Sequence, residues 1–525
     1  MTLVHYPLLT VFIPLFAAVL IPLLAWKRPH AAFGLALSGS LGSAACALAG
    51  LRYVLMNGPL SYAIASWAPP LGIEYVLDPI AGYVSSVIAC VAAAVVLFTK
   101  ARMLPRLGAR AGAFYALVLL LIAGLLGIVI TGDLFNLYVF LEISSLAAYA
   151  LIALGSARSA FAAFRYLLLG TLAGSLYLLG VGQLYVLTGT LNMADMAMLL
   201  PGVWSSPVIQ LGLILIVSGL CLKMALFPLH TWLPDAYSYA PTGISALISS
   251  TMSKVAAYAL VRVLFWVFNA GHGNYCDPVL QVIAGLGAVA IVAGSVLAIA
   301  QQEYKRMLAY SSVAQVGYIA VGIGMANPWA LTGALFHILA HAVAKALLFL
   351  VGGQAQGPET VLGPEEPDTL PIRSLTGLGK RQPMVAACFT VAALSMVGVP
   401  PLAGFFSKWY LVLGALHGRH WVLLIAILSS TLLNAVYFFR ILERMYLHAG
   451  AREVSPEEIR PCESNAEGHT SADLKGRISS GDTSLPEALA ITIPIVGLAI
   501  AVLAAGVLSS GIVSGVILKG IQGIL

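Results

Sequence analysis

The chain has 525 residues, 60% of them hydrophobic and only 9% charged, with a net charge of +6 and a mean hydropathy of +0.95. Soluble domains average about 25% charged residues, so this composition argues against a soluble fold, and the lysines and arginines lie between hydrophobic runs rather than in the single basic patch that nucleic acid would require. Apolar runs of roughly twenty residues recur along the whole length, each able to cross a hydrocarbon layer of about 30 Å, and their continuity excludes the alternating pattern of a β-barrel.

The first run, LLTVFIPLFAAVLIPLLAW, has no basic stretch before it and is followed by Lys27 and Arg28, which reads as a retained helix rather than a cleaved signal. Spans are predicted at 8–26, 31–53, 79–99, 112–131, 134–154, 163–187, 207–227, 242–268, 279–300, 308–326, 329–353, 384–415, 420–447 and 486–508. The expectation is an all-α polytopic membrane protein with about fourteen transmembrane helices. Two hydrophilic connections interrupt the pattern, at 354–383 and at 448–485, the latter too polar to form a packed core. The six cysteines, Cys46, Cys90, Cys221, Cys276, Cys388 and Cys462, show no CxxC and no paired spacing, so they read as packing residues.

Orientation follows from the asymmetry of basic residues across the connections. With the N-terminus outside, nineteen of the 27 lysines and arginines fall in inside connections, while Arg52, Arg262, Arg419 and Lys519 fall outside. An even number of spans then places both termini outside. The remaining four, Lys223, Lys254, Lys345 and Lys408, lie within predicted spans.

The fifth span, within TGDLFNLYVFLEISSLAAYAL (131–151), holds one mid-span acid, Glu142. It stands nine residues after Asp133, roughly 13 Å along a helix. Asp133 itself sits at the span end and reads as a cap. An ionisable group at mid-membrane costs about 2.5–3.5 kcal/mol on insertion scales, and such groups mark ion and proton pathways. In GLCLKMALFPLHTWLPDAYSYAPTG the seventh span carries Lys223 before Pro228, Pro234 and Pro241. Proline removes a donor and clashes with the preceding turn, so this helix should break, as helices do near substrate paths in transporters. Asp235 in this stretch reads as a loop or cap partner. The twelfth span repeats the device in MVGVPPLAGFFSKWYLVL, with Pro400, Pro401 and Gly404 before Lys408.

The helices that follow the two breaks also match. ISSTMSKVAAYALVR (248–262) resembles LSSTLLNAVYFFR (428–440), with Lys254 opposite Asn434, which suggests an internal duplication. A step of five spans separates the two broken helices, as an inverted pair requires. In the eleventh span, LFHILAHAVAKALLFLVGG, the residues His337, His341 and Lys345 are spaced i, i+4, i+8 and share one helix face. Histidine both takes and gives protons near neutrality. A zinc site is set aside, because no HExxH arrangement and no neighbouring cysteine or carboxylate completes it. The plainer readings are a structural ion pair for Glu142 and Lys223, a snorkelling Lys254, packing histidines, and lysines that anchor helices.

These segments, together with KRMLAYSSVAQVGY, resemble the antiporter-type membrane subunits of respiratory complex I and of Mrp-type multisubunit Na⁺/H⁺ antiporters, over about residues 75–445. The wording of DLFNLYVFLEISSLAAYAL is most similar to the D-type subunits of Mrp antiporters. The resemblance implies two inverted five-helix repeats, at 112–268 (helices 4–8) and 279–447 (helices 9–13). Residues 1–111 would form helices 1–3, 448–485 an inside loop, and 486–525 a C-terminal helix. By motif, Glu142 matches the family's glutamate on the fifth helix, Lys223 the lysine on the broken seventh and Lys254 that on the eighth. His337, His341 and Lys345 match the central group of the eleventh, and Lys408 the end residue of the twelfth, a glutamate in one complex I branch and a lysine in others.

The expected function is therefore proton translocation along Glu142, Lys223, Lys254, His337, His341, Lys345 and Lys408, in a subunit of a cation/proton antiporter or of a hydrogenase-like or complex I-like assembly. No cofactor is expected, and no redox site of its own. The expected partners are other membrane subunits, H⁺ with or without Na⁺, and the lipid bilayer, and the expected location is a bacterial or archaeal plasma membrane.

Overall fold

A computed structural model describes residues 5–25, 28–271, 276–355, 370–448 and 485–522. Most of the 448–485 connection, with Cys462, therefore lies outside the described residues. Twelve described helices are long and apolar enough to cross a membrane. In chain order the architecture begins with α1 (Tyr6–Leu20), α2 (Pro29–Asn57), a hairpin of β1 (Leu60–Ala63) and β2 (Glu74–Leu77), α3 (Pro79–Arg102), α4 (Ala111–Ile130), α5 (Leu134–Ile152) and α6 (Ala157–Thr188). It continues with α7a (Pro207–Lys223), α7b (Leu233–Tyr239), α8 (Thr242–Val261), α9 (Asp277–Ala300), α10 (Tyr304–Gly324), α11 (Pro328–Ala355), α12a (Pro383–Val397), α12b (Ala403–His417), α13 (Trp421–Tyr446) and α14 (Leu485–Val507).

The seventh and twelfth spans are interrupted, as expected, whereas α1 and α14 run on through Pro14 and Pro494. At about 1.5 Å per residue, the 15 residues of α12a reach only about 22 Å, and the path is completed by α12b after the break. Gly398 ends α12a at φ +97°, and a β-carbon there would come within 3.2 Å of Lys408 Cδ, so both the backbone and the neighbouring lysine call for glycine.

Helix starts follow local chemistry. Proline opens α2, α3, α7a, α11 and α12a, where a missing N–H removes no bond. Asp78 caps α3 by accepting from Ala81 N at 2.8 Å, and Asp133 caps α5 by accepting from Asn136 N at 2.6 Å. Asp133 is thus the cap its position predicts.

The core is central and includes polar side chains. Every residue of α8 is buried, including five serines and threonines between Ser245 and Ser253 and the lysine Lys254. The hydroxyls of Ser249, Ser250 and Thr251 donate back to carbonyls three or four residues earlier, so the helix satisfies them internally. Helices α10 and α11 are almost as enclosed, whereas α1, α6, α9, α13 and α14 expose apolar faces.

Two features differ from the sequence expectation. The hairpin β1–β2, antiparallel with Leu60 opposite Leu77 and Ala63 opposite Glu74, lies between the second and third helices, where the apolar pattern predicts no strand. Arg262, counted among the outside connection charges, is buried: a π turn carries the eighth helix on to Val267. Its guanidinium donates to Asp78 and lies 4.6 Å from the centre of the Trp266 ring.

Removing one partner of a buried ion pair leaves an unpaired charge and costs about 3–5 kcal/mol. Asp78→Ala should lower stability by that order, because it removes both the counter-charge of Arg262 and the α3 cap, while Asp78→Asn keeps the cap acceptor and should lose less. Thermal unfolding of the assembled complex in nanodiscs compares the two, and equal stability of parent and Asp78→Ala would refute the role.

Candidate ion-translocation axis

The first element of the site is the start of α5. Gly132 N donates to Glu74 O at 2.8 Å, Leu134 N to Leu191 O at 2.9 Å, and Met193 N to Gly132 O at 2.8 Å. Glu74 in turn accepts from Asn192 Nδ2 at 2.8 Å and from Ser61. These bonds, with the Asp133 cap, fix the register of α5, and Glu142 follows two turns later.

Glu142 Oε1 lies 3.4 Å from Lys223 Nζ, which also donates to Ser145 Oγ at 2.7 Å. Ser145 is three residues after Glu142, on the same helix face. Gly174 of α6 makes room for the acid, since a β-carbon there would collide with Glu142 Oε1. Lys223 is the last residue of α7a. Pro228 lacks the N–H for another turn and would clash with the carbonyl of Met224. The chain leaves the helix through Ala225 at φ +60°, and the Leu222 carbonyl accepts from Ala225 N at 3.1 Å and from Trp232 Nε1 at 3.0 Å. The lysine therefore stands at the carbonyl end of a helix, which favours a cation.

Asp235, expected as a loop or cap residue, lies within α7b and joins three helices. It pairs with Arg165 of α6 and, at 3.6 Å, with Arg306 of α10. Beside it Lys305 Nζ donates to Ala240 O at 3.1 Å, and a surface pocket opens between Arg158, Phe161, Asp235 and Tyr239.

Lys254 is fully buried, and both of its hydrogen bonds stay on α8: to Ser249 O and, at 3.3 Å, to Ser253 Oγ. The enclosure of α8 rules out snorkelling. Lys345 is equally buried and donates to Leu308 O at 2.6 Å and to Ser311 Oγ, both on α10. Lys408, near the start of α12b, donates to Met396 O at 2.9 Å and Val397 O at 3.0 Å. It thus caps the carbonyls that the break in the twelfth helix sets free, and its ammonium lies 4.9 Å from the centre of the Tyr318 ring.

The rings of His337 and His341 lie near-parallel with centroids 5.9 Å apart. His337 Nδ1 is 2.9 Å from Ser407 Oγ, and that hydroxyl donates to Gly404 O at 2.9 Å. Nδ1 is therefore the donor to Ser407, which leaves Nε2 as the proton-accepting nitrogen. Ser407 adjoins Lys408, and Tyr318 lies 5.5 Å from the His337 ring, so the column meets Lys408 at His337 and has Lys345 at its other end.

The structure brings Glu142 to Lys223, the two histidines to each other, and His337 to the surroundings of Lys408. It does not bring Lys254 into hydrogen-bond contact with Lys223 or the histidines. Lys223 has a carboxylate partner, whereas the hydrogen-bond partners of Lys254, Lys345 and Lys408 are neutral oxygens. Sequence patterns alone do not single out Ser145, Ser311, Ser407, Tyr318 or Gly174. Spacing offers a signal for Ser145, at i+3 from the acid, and for Ser407, beside the lysine.

Residues 131–434, more than half of the chain and the whole axis, match the protein family described as NADH:quinone oxidoreductase/Mrp antiporter, TM. The chain is 48% identical to the NADH-quinone oxidoreductase N subunit of Desulforudis audaxviator over 86% of its length and 89% of that protein. It is 33% identical to the D-type Na⁺/H⁺ antiporter subunit of Alkalihalophilus pseudofirmus over 74% of its length and 76% of that protein. Its structure overlays a chain of the Mrp complex from Dietzia sp. DQ12-45-1b with a TM-score of 0.82 at 25% identity, covering 99% of this chain and 97% of that one. Identity is thus higher to the N-type relative than to the D-type relative that the wording of the fifth span favours. The chain is an integral membrane protein and belongs to the NADH:quinone oxidoreductase/Mrp antiporter transmembrane family.

Proposed function

We propose that this chain is the ion-translocating subunit of a multisubunit membrane complex and moves protons along Glu142, Lys223, Lys254, the α11 column of Lys345, His341 and His337, and Lys408. The observation that carries this reading is the Glu142–Lys223 pair, set at a helix break and followed by buried cationic and imidazole groups on α8, α11 and α12b. Buried ionisable groups inside a membrane bundle are expensive and accompany ion paths. Protons enter from the inside near Lys223 and Lys254 and leave outward from Lys408. The basic cluster of Arg158, Arg165, Lys305 and Arg306 supports the inside assignment of that end, and with it outside termini. The segments 112–268 and 279–447 act as the two inverted repeats, each with its own broken helix.

A companion subunit is supported by the surface around the acid. Glu142 is 21% exposed, on a stripe of α5 with Phe135, Val139 and Leu146, which are 45%, 36% and 57% exposed. A carboxylate on a lipid-facing stripe is unfavourable, and a neighbouring membrane subunit seated there would cover it.

Coupling to a monovalent cation, as Na⁺/H⁺ antiport, is supported by the likeness to the D-type antiporter relative and by the full-length overlay on the Mrp complex chain. A second reading, proton pumping driven by electron transfer in a complex I-like assembly, is favoured by the 48% identity to an N-type relative. The co-purifying subunits separate them: iron–sulfur proteins favour the second, and small membrane subunits alone the first.

Glu142→Ala and Lys223→Ala should each abolish proton-coupled transport in vesicles while the complex still assembles, and His337→Ala should reduce it less, because water can substitute. Full transport by either of the first two variants would sink the pairing mechanism. Gly174→Val should mimic Glu142→Ala by displacing the carboxylate, whereas Gly182→Val, on the same helix with nothing within 4 Å of its β-carbon position, should transport normally. Should both glycine variants behave alike, the space at Gly174 does not matter to transport.

A further inference from the structure

Helices α10 and α11 are consecutive and antiparallel, and the contacts between them set a register. Tyr304 donates to Leu348 O at 2.7 Å, Ser311 accepts from Lys345, and Tyr318 faces His337 at 5.5 Å between centroids. Ser311, Gln315 and Tyr318 are spaced i, i+4, i+7 on one face of α10, as Lys345, His341 and His337 are on the facing side of α11. The residue opposite His341 in this register is Gln315.

Gln315 is fully buried. Neither its Nε2 nor its Oε1 has a hydrogen-bond partner among the described residues, and the same holds for both ring nitrogens of His341 and for Nε2 of His337. Buried polar side-chain atoms are nearly always satisfied by protein or by ordered water. Five unmatched atoms on facing residues of two neighbouring helices make a polar site that calls for ordered water. An amide suits this task, because Oε1 accepts and Nε2 donates, and both orient water without gaining or losing a proton.

We propose that Gln315 is a positioning residue of the translocation path: its amide, opposite His341, holds the ordered water that connects Lys345 with His341 and His337, and through them with Lys408. Lys345 passes a proton from its ammonium to one such water as that water gives one of its own protons to a ring nitrogen of His341. Lysine becomes neutral, histidine becomes cationic, and water is regenerated. This inference rests on the proton-path reading above and adds to it a residue that does not itself titrate.

The test uses the assembled complex in inverted vesicles, with proton movement followed by a pH-sensitive dye. Gln315→Met keeps the size and removes both polar atoms, so transport should fall at least tenfold with subunit composition unchanged. Gln315→His restores a donor and an acceptor and should recover at least half of the parent rate. Parental transport by Gln315→Met, or equal impairment of both variants in intact complexes, overturns the inference, since packing would then be the only role. Lys408→Ala is measured in parallel. If it is inactive while Gln315→Met is fully active, the water-holding role fails and the axis stands; if both are fully active, the proton-path reading itself fails. A high-resolution map of the parent complex addresses the same point without substitution. Density for water within hydrogen-bond distance of the Gln315 amide is expected, and an amide closed directly onto the His341 ring with no such density overturns the proposal.

Discussion

An ammonium group held within a hydrocarbon layer must find its counter-dipoles inside the protein, because lipid offers none and water reaches it only where the fold admits water. The four lysines within the spans, Lys223, Lys254, Lys345 and Lys408, meet this demand in three ways. Lys223 uses a carboxylate and a hydroxyl, Glu142 and Ser145. Lys254 and Lys345 use a backbone carbonyl and a serine. Lys408 uses two carbonyls released at a helix break. The breaks are thus part of the electrostatics, since an unbroken helix keeps its mid-span carbonyls occupied. At one break the carbonyl of Leu222 is shared between Ala225 N and the Trp232 indole, and at the other the freed carbonyls of Met396 and Val397 are taken by the lysine itself.

The scaffold around these groups is closely cross-bonded. The hairpin, the 131–133 turn and the 190–193 segment are stitched by backbone bonds and by Glu74, which hold the first turn of α5 and so set the height of Glu142. Wholly buried α8 keeps Lys254 away from lipid. Asp235 ties α7b to α6 and α10 through two arginines.

Much of this is legible in the amino-acid sequence. Apolar runs give spans directly, the clustered prolines of the seventh and twelfth spans give the breaks, and the i, i+4, i+8 spacing gives the α11 column, because each depends on local sequence. What escapes depends on separation along the chain. Asp78 and Arg262 are 184 residues apart, and each looks like an ordinary residue at a span end. Gln315 faces His341 only because two helices pack in a particular register. Asp235 reads as a local cap because its arginine partners lie 70 and 71 positions away in opposite directions. The strands β1 and β2 are four residues each and only partly buried, too short for alternation to stand out. The order of the column relative to Lys408 is likewise invisible in the sequence, since it depends on where α12b places Ser407.

The distribution of charge along the axis has its own consequence. One carboxylate faces the lysines directly, at the Lys223 end, and beyond it the groups are cationic or neutral. Neighbours one helical turn apart, such as Lys345 and His341, have β-carbons about 6 Å from each other, where two positive charges repel by about 3 kcal/mol at an effective dielectric of about 20. Adjacent groups in the row therefore resist being charged together, and a proton placed at one end raises the energy of the next. When Lys223 is clasped by Glu142 its charge is neutralised, and the remainder of the row can hold a proton more easily. In the proposed path, opening of the clasp would push that proton toward Lys408. In that path, a row with a single acid at one end, a non-titrating amide in the middle and a carbonyl-capped lysine at the other end would couple one ion-pair movement to charge displacement across the bundle, with no large rearrangement of the helices themselves.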